Sequence, residues 1–244
     1  MQAMRCVLLA AAVAAAGLAT PAWAQQTAPA TATTTASDEV KIINDAIEVL
    51  RELSRGPDSQ IPDYLLARAE AVVVIPSLLK GGFVVGAKHG KGIISTYDRT
   101  TNTWSNPGFV NMTGGSIGWQ IGVEAVDLVL LVMNRRGVDE LLEDRFTLGG
   151  NLSVAAGPVG RTAAAATDAQ FAAQILAYSR SKGLFAGATL EGAALHSNDD
   201  SNEALYGQDA LRAVLNTKPG PTAPAAAETW RSTMKSLVKA EPNP

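Results

Sequence analysis

Glycine recurs inside stretches of this chain that otherwise alternate as β-strands do, and that combination limits the fold more than any other feature. In GGSIGWQIGVEA, residues 114–125, Ile117, Trp119, Ile121 and Val123 alternate with Ser116, Gly118, Gln120, Gly122 and Glu124. A strand there has one apolar face and one small, polar face. FTLGGNLSVAA, residues 146–156, repeats the pattern, with Phe146, Leu148, Leu152 and Val154 set against Thr147, Gly149, Asn151 and Ser153. Glycine in a strand costs backbone entropy and packs nothing. Its recurrence therefore predicts sharp bends or the close approach of another backbone, as in a small, tightly curved barrel.

Other segments fit the same frame. Val72–Ile75 is a continuous β-branched run, and Gly81–Val85 and Ile93–Tyr97 read as further short strands separated by glycine turns. Asp168 and the turn Ser181-Lys182-Gly183 bracket a strand containing Tyr178; the alanine-rich stretch Ala163–Ala177 reads as strand, with helix as the alternative. Strands at this spacing predict an α+β fold, mainly an antiparallel β-barrel or sandwich, with helices flanking it at the N- and C-terminal ends. The first helix starts at an N-cap, Ser37, carries Val40, Ile43, Ile47 and Leu50 on one face, and stops near Arg55-Gly56-Pro57. A short helix follows from Pro62 to about Glu70. Asn202–Asn216 reads as a helix interrupted at Gly207, TKPGPTAPAAA as a linker, and Glu228–Lys239 as an amphipathic helix carrying Trp230, Met234, Leu237 and Val238.

The ends of the chain set the compartment. Arg5, the apolar run Val7–Leu18 and the small-x-small tripeptide Ala22-Trp23-Ala24 predict a cleavable signal peptide over residues 1–24, since the run is shorter than a membrane span and a cleavage pattern follows it. The expected order is a signal peptide (1–24), a flexible Thr/Ala/Pro/Gln tether (25–37), a folded domain (38–216), and a linker with a C-terminal amphipathic helix (217–244). The expected location is the periplasm, with membrane association left open. Cys6 is the only cysteine and lies within the leader, so the mature chain carries no thiol. Cleavage leaves 19 basic against 23 acidic residues, a net charge of −4. That balance argues against nucleic-acid binding, which draws affinity from a basic excess, and means that any anionic ligand has to be met by a local cluster of cations. The remaining length suits one domain with a core that needs no disulfide or metal.

Catalytic chemistry finds little support in the motifs. No G-x-S-x-G elbow occurs, neither phosphate-binding glycine fingerprint is present, and His89 and His196 have no second ligand at metal-binding spacing. No cofactor and no metal are expected. Glu124, Asp127 and Glu191 sit in apolar strands and read as a polar network that supports the structure rather than as an acid/base pair. Lys80, Lys88, Lys91, Arg161, Arg180 and Lys182 each lie beside or close to glycine, where exposed backbone N–H groups and a cation together hold an anion. The bland reading is that these cations keep a barrel rim soluble.

A family resemblance bears on that choice. Ile75-Pro76, Lys80-Gly81-Gly82-Phe83, Gly90, Gly92, Trp104, Pro107, Phe109, Gln120-Ile121-Gly122, Asp127, Met133-Asn134, Gly157-Pro158, Gly160-Arg161, the run from Tyr178 to Gly183 and Glu191-Gly192 together resemble the SYLF domain family over roughly residues 40–207. The resemblance implies membrane-lipid recognition, of phosphoinositides in eukaryotic relatives, and no catalysis. It makes the six cations candidate lipid-binding residues and a membrane phospholipid or other anionic amphiphile the expected partner. A protein partner in the cell envelope is the alternative, because some eukaryotic relatives bind actin; the expected export signal argues against actin itself as the native partner. In eukaryotic relatives an N-terminal amphipathic helix assists membrane binding. Here that helix carries Asp38, Glu39, Asp45, Glu48 and Glu52 against Lys41, Arg51 and Arg55, so packing on the domain is expected instead. The C-terminal helix has a basic flank and a tryptophan, which suit either membrane contact or docking.

Overall fold

The computed structural model describes residues 30–55, 61–143, 146–150, 152–159, 173–179, 190, 192–207, 210–216 and 224–238, with side chains for all of these except 30–36, 81–86, 116–124 and 146. The chain divides into two units, Met1–Ala30 and Thr31–Pro244, and the architecture below is that of the second. Its elements are α1 (Ala30–Arg55), α2 (Asp63–Arg68), β1 (Ala71–Asp98), β2 (Thr103–Trp104), β3 (Gly108–Val132), α3 (Arg135–Leu141), β4 (Phe146–Thr147), β5 (Val154–Ala156), β6 (Ile175–Ser179), β7 (Ala194–Ser197), α4 (Asp199–Tyr206), α5 (Leu211–Asn216) and α6 (Ala225–Leu237). The segment expected to be a signal peptide, residues 1–24, lies outside the described residues.

One antiparallel ribbon dominates. β1, of 28 residues, pairs with β3, of 25, from Ala71 opposite Val132 to Ile94 opposite Gly108. The two ends of β3 take different second partners: Leu128–Val132 pairs with β6 and Val110–Thr113 with β7. β4 extends the sheet beyond β7, and β5 lies parallel to β6, so the curled sheet is mixed although mainly antiparallel. The expected α+β architecture with helices from both ends of the domain is present.

The three short strands expected between Val72 and Tyr97 are one strand. Gly90 and Gly92 lie within it without a left-handed φ, so they do not make turns. They let the strand coil onto itself. A Cβ on Gly92 would lie 2.3 Å from the Val74 carbonyl oxygen and 2.9 Å from Ile75 Cα, and one on Gly90 would lie 2.8 Å from the Ile75 side chain. In a straight strand Ile75 and Gly90 would stand about 50 Å apart.

Two interruptions of register bend the ribbon, at Ile75/Leu78 and at Gly82/Val84. At the first, Pro76 removes a ladder donor and Ser77 takes φ 53°; the Ser77 N–H donates to Asp127 Oδ1 at 2.9 Å. At the second, Gly82 pairs with Gly122 and Val84 with Gly118, so residues 119–121 of β3 stand opposite Phe83 alone. The glycines singled out for bending, Gly118 and Gly122, flank this bulge.

Curling gives the sheet an inner and an outer face, and both are buried. On the outer face Val72, Val74, Val129, Leu131 and Tyr178 meet Ile43 and Leu50 of α1, Leu66 of α2 and Trp230 and Met234 of α6. On the inner face Val73, Ile75, Leu78, Leu128 and Leu130 meet Val138 and Leu141 of α3 and Leu211 and Leu215 of α5. Burial on both sides explains why Val72–Ile75 and Leu128–Val132 are unbroken apolar runs.

Four boundaries differ from expectation, one of them at α6, which takes in Ala225–Ala227 of the expected linker. α1 begins at Ala30 rather than Ser37, because an established helix extends at the cost of one residue per added hydrogen bond, even through the threonines of residues 31–35. FTLGGNLSVAA is a reversal between two short strands rather than one alternating strand. Gly149 takes φ 79°, its N–H donates to the Leu152 carbonyl at 3.0 Å, and Leu148 and Leu152 both point into the inner core. The helix expected over Asn202–Asn216 is α4 and α5, and it starts earlier. Asn198 caps α4 by accepting from Ser201 N–H at 3.2 Å, and Gly207 ends it at φ 65°. The strand reading holds for Ile175–Ser179; residues 163–172 lie outside the described residues.

Candidate functional site

Of the six candidate cations, three are placed. Arg161, Arg180 and Lys182 lie outside the described residues. Lys80, Lys88 and Lys91 all fall on β1, within strand rather than in glycine turns. Side chains alternate along a strand, so Lys88 shares the inner face with Gly90, Gly92 and Ile94, while Lys91 points the other way and is exposed. Lys80, two residues beyond buried Leu78, is half-buried on the inner side.

Lys88 is only 4% exposed, the burial expected of an apolar side chain. Its ammonium is held below the usual lysine range, first by burial and then by the positive charge of Lys80. The inner face thus carries two ammonium groups close enough to repel each other, and Lys91 is not part of that group.

The acidic candidates separate as well. Asp127 is structural, since its carboxylate holds the strained Ser77 N–H at the first bulge. A proline inside a strand pattern was the available signal for such a bulge. The side chains of Glu124 and Glu191 lie outside the described ones, although Glu124 stands opposite Lys80 in the register. His89 is exposed on β1 and His196 is half-buried on β7, opposite Asn111. Among the described residues no group of three His, Cys, Asp or Glu side chains is placed to hold a metal.

Both terminal helices are docked. Trp230, Met234 and Leu237 of α6 are buried against the outer face, so the tryptophan is not presented to solvent. Arg51 of α1 donates to Thr233 Oγ1 at 3.0 Å, Arg55 donates to the Ser236 carbonyl, and Arg231 bonds the Asn106 side-chain carbonyl and the Glu228 carboxylate. The acidic α1 packs on the domain as its charge predicts, burying Ile43, Ala46 and Leu50 completely. Its Glu39, 1% exposed, accepts from Ser201 Oγ of α4 at 2.7 Å.

Sequence reasoning gave no role to Asn202 beyond the start of a helix. Fully buried, it replaces a strand neighbour: Oδ1 accepts from Phe109 N–H at 2.7 Å and Nδ2 donates to the Phe109 carbonyl at 3.3 Å. This fastens α4 to the start of β3. Tyr206 reinforces the junction by donating to the Pro107 carbonyl at 2.7 Å, and burial pushes its hydroxyl far above the usual phenol range.

The sequence that builds this geometry is similar to known proteins. A family model described as "Ysc84: Las17-binding protein actin regulator" matches residues 113–237, from within β3 to the end of α6. The chain is 36% identical over 174 residues to SH3 domain-containing YSC84-like protein 1 of Xenopus laevis, covering 69% of this chain and 51% of that protein. It is 36% identical over 189 residues to Protein YSC84 of Saccharomyces cerevisiae, covering 74% of this chain and 40% of that one. With LAS seventeen-binding protein 3 of the same species it shares 39% over 163 residues, covering 66% and 35%. The chain therefore spans about half or less of the length of these relatives. From the strand residues to the C-terminal helix, the chain belongs to the Ysc84 family, whose shared region is the SYLF domain.

Proposed function

We propose that this chain is a non-catalytic binding module whose first partner is a protein. The observation that carries this reading is the family match, because its description and the names of relatives such as LAS seventeen-binding protein 3 are those of proteins that bind other proteins. The family's named partners serve as probes of binding capacity rather than as physiological ligands, in keeping with the envelope partner proposed from the sequence.

A second reading, an anionic lipid headgroup, draws on the ammonium groups of Lys80 and Lys88 on one face of β1, half-buried Lys80 being the one open to a headgroup and buried Lys88 adding its charge from behind. In a chain of formal net charge −3, attraction to an anionic surface has to be local. Each basic group near such a surface contributes on the order of 1 kcal/mol.

One set of measurements separates the two. Purified protein is tested against immobilised Las17, by sedimentation with actin filaments, and by flotation with phosphatidylserine-containing and phosphatidylcholine-only vesicles. Saturable binding to Las17 or actin supports the first reading, and binding to neither counts against it. Flotation with the anionic vesicles alone, reduced in Lys80→Gln/Lys88→Gln but not in Lys91→Gln, moves the lipid reading to first place.

A further inference from the structure

Away from the lysines, the sheet carries a cleft of 860 Å³ where β3, β7 and β4 run side by side. That volume falls within the roughly 300–1,000 Å³ typical of ligand sites. Thr113, Ala194 and Thr147 stand in register across the three strands and form a row of small side chains, two of them hydroxyls. The alternate positions Met112, Leu195 and Leu148 are buried in the inner core, so the row belongs to the opposite side of the strands. His196, two residues along β7, shares that side.

The rim carries both signs of charge. Glu143, just past α3, and Asp199, in the first turn of α4, supply carboxylates, and Arg212 of α5 supplies a guanidinium. Two carboxylates repel an anionic headgroup, so this is not the site of the lipid reading. β4 is an edge strand, pairing with β7 alone among the described residues, and an edge beside a cleft suits extended main chain.

We propose that this cleft is the docking groove for an extended peptide segment of a protein partner, carrying a basic side chain near an acidic one. The basic group meets Glu143 and Asp199, and the acidic group meets Arg212. The inference rests on the protein-partner reading.

The test is panning of a random short-peptide phage library on the full chain, followed by anisotropy titration of the enriched peptides. Glu143→Lys and Arg212→Glu, both at exposed positions, are the variants, with melting temperature as the check on folding. Enriched peptides should carry both charge signs and bind each variant at least tenfold more weakly. Peptides that bind parent and variants alike overturn the groove while leaving the protein-partner reading intact. A failure to enrich any peptide also overturns the groove, and the Las17 and actin measurements then decide the broader reading separately.

Discussion

The outer and inner faces of the curled sheet are buried in different ways. Helices cover the outer face, and its contacts join residues far apart in sequence, such as Ile43 of α1, Val129 of β3 and Trp230 of α6. Part of the inner face is covered by β1 itself, whose later half returns to meet Ile75 and Leu78 at Gly90 and Gly92. A face covered by helices asks for bulk on the covering element. A face closed by curling asks for missing bulk, because two backbones have to approach where a Cβ would stand. The outer face should therefore be damaged by truncation and the inner face by addition.

Trp230→Ala gives the largest expected effect. Removing a fully buried indole from the outer cluster should cost about 3–5 kcal/mol through lost burial and the cavity left behind. Denaturant unfolding measures it, and a loss under about 1 kcal/mol would mean that α6 is not part of the folded unit.

Gly92→Ala tests the opposite rule. One methyl group meets backbone at 2.3 Å and should cost about 2–3 kcal/mol by overpacking, although alanine restricts the unfolded chain more than glycine does. Gly115→Ala is the internal control, since a Cβ there meets nothing within 4 Å and should shift stability by less than about 0.5 kcal/mol. Equal effects at the two positions would remove the distinction between the faces.

Asp127→Ala should cost about 1 kcal/mol by leaving the Ser77 N–H without its carboxylate acceptor, and Asp127→Asn, which keeps a carbonyl, should cost less. Melting temperatures of the pair check this. Equal losses would show that the charge, rather than the acceptor, is what the bulge uses.

The smallest effect concerns pH. The folded state holds the Lys88 pKa below the unfolded value of 10.5, so over the interval between the two the unfolded chain binds more protons. Stability should therefore rise with pH across that interval, and the penalty is present in full below it. Lys88→Met should flatten the rise when thermal stability is followed from neutral pH to about 10.5. An unchanged slope would assign it to other groups.

These contrasts explain which parts of the fold were legible in the sequence. Val72–Ile75, α1, α2 and the stop at Gly207 follow from local pattern, because periodicity and capping depend on neighbours within a few residues. The glycines announced a bend or a close approach. Whether each one turns the chain or admits a second backbone depends on residues about 15 positions away, so one strand of 28 residues reads locally as three. The candidate cations were legible as residue types but not as a site. Alternation put Lys88 and Lys91 on opposite faces, a consequence of their lying in strand rather than in turns.

By itself, then, the sequence determined the α+β class, the apolar faces and a formal net charge of −3, all properties of composition and short-range spacing, and its ordered motifs carried the resemblance to the family. Only the tertiary structure decided that Trp230 faces the sheet, that Asn202 fastens α4 to β3, that Lys88 is buried beside the charge of Lys80, and that Glu143, Asp199 and Arg212 line one cleft. Each of those outcomes depends on how far the ribbon curls. The curl is summed from small twists and two bulges along 28 residues, and no local window of sequence contains that sum.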